Sequence, residues 1–193
     1  MFLIPNRIRS GPMRRHVRGV SLIEVLISIL LAAIGLLALA GANVASIRYS
    51  KMSQYRGTAT LLASDFAERM RANKAGLANY GYGSDFATQS AAIAADTSCE
   101  TYTPAACTAA TLAAYDLNTW RAVVRNQLPE GSVFVVINAA QVAADVWIAW
   151  RDPAVADPDE NSTDARNSAL ECPNGLNLGA DKSVRCSFFR INL

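Results

Sequence analysis

Residues 25–42 form an 18-residue run with neither a charge nor a proline, and no other stretch limits this chain so sharply. At 1.5 Å per residue the run makes roughly 27 Å of helix, close to the roughly 30 Å hydrocarbon core of a bilayer. It therefore reads as a membrane-spanning helix. Upstream, Arg7, Arg9, Arg14, Arg15 and Arg18 stand among the first 19 residues without a single acid. Positive charge on that side predicts that the N-terminal end stays in the cytoplasm and the remainder is exported. Export agrees with four cysteines, since disulfides persist in such compartments. Of 18 basic side chains, those five leave 13 against 16 acids, so the remainder carries −3 although the whole chain is +2. The exported part lacks the basic excess that nucleic-acid binding requires, and no nucleic-acid partner is expected.

Glu24 does not fit a simple anchor. An unpaired carboxylate at mid-membrane costs about 2.5–3.5 kcal/mol on insertion scales, which favours pairing it. A cleaved secretory signal would offer "ALAGA" at 38–42 as its small-residue site, but it leaves an acid in the early apolar region unexplained. Read together, "RRHVRGVSLIEVL" resembles the processing site of type IV prepilins and of type II secretion pseudopilins. The resemblance implies a basic leader, residues 1–19, that ends at Gly19. A prepilin peptidase would cut between Gly19 and Val20 and methylate Val20, and the apolar helix would be retained. Val20 stands where the family more usually has phenylalanine, and the leader is long; a start at Met13 would shorten it. Cleavage creates an amino group four residues before Glu24, one helical turn away. The resemblance makes the partner of Glu24 the N-terminus of a neighbouring subunit, so that neutralisation helps a subunit leave the bilayer and sets its register. A helix-end glutamate snorkelling to the interface is the plainer reading, and it explains neither the glycine nor the leader.

Beyond Ala42 the apolar residues Val44, Ile47, Tyr55, Ala59, Leu62, Phe66 and Met70 recur mostly at three- and four-residue spacing among charges. One helix is expected from about 21 to about 73, roughly 80 Å long, apolar all round at first (20–42) and amphipathic afterwards (43–76). "NKAGLANYGYGSD" at 73–85 ends it, and residues 77–193 form the head. The Ala-, Thr- and Ser-rich residues 86–115 read as a loop with at most a helical turn. "DLNTWRAVVRNQLPEG" at 116–131 reads as a short helix capped by Asp116. "SVFVVIN", "VAADVWIAWRD" and "SVRCSFFRINL" have strand composition, with Trp147 and Trp150 on opposite faces, one for the core and one for a subunit contact. A long helix followed by an antiparallel sheet of three to four strands is an α+β domain, and it matches the pilin fold. "TLLASDFAERMRANKAG" at 60–76 and the order of elements after it resemble minor pilins of the PilV type, the type IV pilus modification proteins.

Four cysteines allow three pairings. Cys99–Cys107 and Cys172–Cys186 are favoured because each closes one local loop, and the second resembles the C-terminal disulfide loop of many pilins. Neither spacing holds a C-x-x-C knuckle, and the only histidine, His16, lies in the leader, so zinc is not expected. "DPDENSTD" at 157–164 lacks the glycine and distal glutamate of a calcium loop and reads as a solvated loop. No phosphate loop or nucleophile elbow is present, so no catalytic residue, metal or cofactor is expected. The resemblance implies a structural protein whose partners are the prepilin peptidase, the inner membrane, the pilus assembly platform, other minor pilins and the major pilin. Its neighbouring alternatives are a pseudopilin of type II secretion and a membrane-anchored binding domain that never polymerises.

Overall fold

A computed structural model describes residues 19–94, 96–100, 107–152, 170–178, 181 and 183–193. Its first element, α1 (Leu22–Ala72), is a helix of 51 residues, within one residue of the expected limits. Ser21 sets its start, because the Ser21 carbonyl accepts from the amides of Glu24 and Val25. Lys74–Asn79 follow as a 3-10 helix.

The chain divides into two compact units, one through Val44 and one over Ala45–Leu193. In the first, every described residue is exposed. Its part of α1 supplies a window long and apolar enough to cross a membrane, and none of that window is buried.

The second unit owes its core to the amphipathic part of α1. Ala59, Leu62, Ala63, Phe66, Ala67 and Met70 are buried at helical spacing. They pack with Ala113, Leu117, Trp120 and Val124 of α2 (Ala109–Gln127) and with one face of a sheet. Among the described residues the sheet has three strands, β1 (Ser132–Asn138), β2 (Ala143–Arg151) and β3 (Val184–Asn192), antiparallel in that order. Period-two alternation sends Val133, Val135, Val146, Ile148, Trp150 and Ile191 toward the helices. The other face carries Phe134, Trp147 and Phe188 directly across from one another, with ring centroids 6.0 and 4.8 Å apart. Beside them Ala149, Val184 and Cys186 close over Phe86, Cys172 and Leu176. Disulfides join Cys99 to Cys107 and Cys172 to Cys186.

One expectation changes and another becomes specific. The helix expected from 116 begins at Ala109, capped by Thr108, whose hydroxyl accepts from the Thr111 amide. Asp116 is therefore inside α2 and caps nothing. The alanine-rich stretch before it is good helix material once a threonine supplies the cap, so the loop expected over 86–115 shrinks from its C-terminal end. Trp150 is the fully buried tryptophan of the pair. Trp147 is half-buried between Phe134 and Phe188 and keeps part of its ring exposed. The acidic stretch 157–164 and the leader up to residue 18 lie outside the described residues.

Candidate functional site

Gly19, Val20 and Glu24 lie at the start of α1. Gly19 and Val20 precede the helix, and Val20 is 69% exposed. A Cβ built on Gly19 would meet nothing within 4 Å. Packing among the described residues therefore places no demand for glycine there. Glu24 lies in the first turn, where a carboxylate faces the positive end of the helix dipole. Its amide donates to Ser21 O at 3.0 Å, and its carbonyl accepts from Ser28 Oγ at 2.7 Å. Its backbone is thus fixed, while its side chain stays exposed. "SLIE" also has the spacing of a capping box, in which the glutamate would return to the Ser21 amide. Charge pairing and capping are two distinct uses of one carboxylate, and they call for different variants.

The four cysteines lie elsewhere, all in the second unit. Among the described residues no group of three His, Cys, Asp or Glu side chains could hold a metal ion. The polar clusters that do form are internal braces. Tyr80 is fully buried, and its hydroxyl donates to Asp116 Oδ2 at 2.7 Å and accepts from Asn73 Nδ2 at 3.3 Å. Burial, then the hydrogen bond to Asp116, pushes the Tyr80 phenol far above its usual range. Asn73 also donates to the Ala109 carbonyl at 2.8 Å, and Arg69 reaches Asp116 at 3.5 Å. This brace ties the end of α1 to α2. Gly76 is needed beside it, since a Cβ there would collide with the Ala109 carbonyl.

A second brace closes one end of the sheet. Arg151 grips both oxygens of Glu130, at 2.7 and 3.0 Å, and reaches Asp181 at 2.8 Å and Ser183 Oγ at 2.6 Å. The hydrogen bond from Arg151 holds the Glu130 carboxyl below its usual range. Burial works against ionisation of Asp181, but bonds from Ser183 and Arg151 outweigh it and lower its pKa. Sequence reasoning missed both braces. The bonds that Asp116 and Arg151 make in them span 21 to 47 residues and share no local pattern.

Comparison with known families adds two findings. Residues 14–40 match the prokaryotic N-terminal methylation motif. Residues 43–118 match the family described as Tt1218-like, type IV pilin Tt1218. No curated protein and no solved structure matches the chain. The first match contains Gly19, Val20 and Glu24; the second runs from the amphipathic part of α1 into α2.

Proposed function

We propose that this chain, for which both matches support the type IV pilin family with an N-terminal methylation motif, is a minor pilin of the PilV type. In this reading it sits in the inner membrane as a single span, with its N-terminus cytoplasmic and its head periplasmic. Prepilin peptidase cuts after Gly19 and methylates Val20. The subunit then leaves the membrane through the assembly platform and joins other minor pilins and the major pilin by its N-terminal helix. There it primes assembly and so affects motility, adhesion or DNA uptake. One observation carries the proposal: α1 opens on a wholly exposed apolar stretch with an acid in its first turn, and just before it stands a glycine that packing among the described residues does not require. Such a helix is stable only when lipid or other helices cover it.

Mass spectrometry of the mature chain tests the processing. The expected N-terminus is methylated Val20, and an intact Met1 or a start near Ala42 would overturn the reading. Glu24→Gln tests the carboxylate, because glutamine can still serve the capping box but carries no charge. The variant should be cut and methylated normally and be missing from sheared pili. Wild-type incorporation would refute charge pairing.

A further inference from the structure

In the second unit, Arg56, Arg69, Arg71, Arg151, Arg185 and Arg190 each pair with a carboxylate. Arg121 and Arg125, one turn apart on α2 and both half-buried, pair with none among the described residues. Arg121 is held in place all the same. Its guanidinium lies 3.9 Å over the Tyr82 ring, and Nη1 donates to Asn118 Oδ1 at 3.3 Å. Its Nε is buried and donates to nothing. Arg125 donates from Nη2 to the Ser90 carbonyl at 3.0 Å, while its Nη1 is likewise buried without an acceptor. Two immobilised guanidinium groups with spare donors are unusual, because a buried charged donor left unmade is costly. Burial accordingly pulls the Arg121 guanidinium below its usual range, and Tyr82 opposes that.

Arg121 lines a cavity of about 240 Å³, together with Thr88, Gln89, Asn118 and residues 91–94. The volume is several times the roughly 30 Å³ share of one water, so the cavity admits a small polar group. Gln89 has no capacity to spare, since its amide already bonds Ser84 O, Val133 O and Val133 N. Asn118 is fixed between Arg121, which it accepts from, and Asp96 Oδ2, to which it donates at 3.2 Å. The spare donor at this wall therefore belongs to the Arg121 guanidinium, and the Asn118 amide stands between it and Asp96. Among the residues lining the cavity Arg121 is the single cation, and one positive charge suits one carboxylate better than a dianion. A guanidinium fork with a free edge is also the preferred partner of a planar carboxylate.

We infer that the cavity between α2 and residues 88–94 is a binding site for a single carboxylate, taken up by the Arg121 guanidinium. That carboxylate comes from an acidic side chain of another subunit or from a small acidic molecule. The inference is independent of how the N-terminus is processed, so either can fail alone.

Titrating the full chain in detergent micelles, with the Arg121 Nε–H resonance as readout at constant ionic strength, tests it. Sodium acetate should shift that resonance with a saturating curve, and acetamide and inorganic phosphate should shift it far less. N-acetylglutamate with an amidated α-carboxyl and sodium glucuronate stand for the two sources, and the tighter of them identifies which applies. Arg121→Gln should weaken acetate binding about tenfold or more, read from the cavity-wall amides of Asn118 and Gln89. Arg121→Lys should retain part of the binding, and Arg48→Gln on α1 all of it. A non-saturating shift, an equal response to phosphate, or binding that survives both Arg121 variants would overturn the assignment. Should Arg121→Gln fail to fold, Arg121→Lys decides: unchanged affinity for acetate overturns the proposal.

Discussion

The two parts of α1 are made of similar helix-forming residues but stand in opposite relations to the rest of the chain. Before Val44, Leu22 is 85% and Leu37 74% exposed; beyond Ala59, Phe66 and Met70 are fully buried. In the second part the side chains answer to the protein's own core. In the first they are exposed, so a substitution there should leave the folding of the head intact. Phe66→Ala should break this contrast most visibly. Phe66 stacks on Trp120 with centroids 4.0 Å apart, and losing a buried phenylalanine costs about 3–5 kcal/mol. Leu37→Ala should leave the unfolding midpoint of the head unchanged. Near-UV circular dichroism of the full chain in detergent measures both, and an equal loss in both variants would abolish the distinction.

The disulfides sharpen the comparison inside the head. Cys172–Cys186 spans 14 residues and Cys99–Cys107 spans 8, so loop entropy alone gives roughly 3 and roughly 2.5 kcal/mol. The first bridge is also buried in a cluster with Phe86, Leu176 and Val184, whereas Cys99 and Cys107 are partly exposed. Replacing Cys172 and Cys186 together by serine should therefore destabilise the head more than the loop difference implies, because the hydroxyls would enter an apolar cluster. Urea unfolding of the two double variants gives the order. A larger loss from the Cys99 and Cys107 pair would mean that the buried cluster contributes little.

What could be read in advance follows the same division. α1, β1, β2 and β3 were legible because burial on one face imposes a period of 3.6 or 2 on the sequence. The start of α2 was not, because Ala109–Ala110 and their neighbours are nearly featureless and Asp116 imitates a cap. Its carboxylate was already committed to Tyr80, 36 residues away, and no local pattern announces such a contact. Asp116→Ala should cost about 1–3 kcal/mol, since it leaves the buried Tyr80 hydroxyl without its acceptor. Tyr80→Phe removes the donor but leaves Asp116 its ion pair with Arg69, and it should cost less, about 1 kcal/mol. Chemical denaturation of both variants checks the order; a reversal would mean that the hydroxyl's other partners, Asn73 and Arg69 O, matter more than Asp116. At the start of α1 the sequence was legible for the opposite reason. Gly19, Val20 and Glu24 fall within the match to the N-terminal methylation motif, and the fold adds only that nothing among the described residues explains the glycine.

The smallest effect expected is electrostatic, and it again separates the two parts. Glu130 and Asp181 titrate below their ordinary values of 4.5 and 3.8 in the folded head, Glu130 chiefly because Arg151 donates to it. A folded-state pKa below the unfolded one means that the folded head binds fewer protons. The brace then contributes its full stabilisation above about pH 5 and loses it as pH falls through the folded values. Glu130 is 43% and Arg151 37% exposed, so solvent screening keeps the contribution small. Arg151→Met should lower the unfolding midpoint modestly at neutral pH, and the gap from wild type should close as pH falls toward about 3. Glu24→Gln, in the exposed part of α1, should leave the whole pH profile of the head unchanged. A gap for Arg151→Met that stays constant from neutral to acidic pH would show that Arg151 acts through packing on Phe86, 5.8 Å away, and not through its carboxylates.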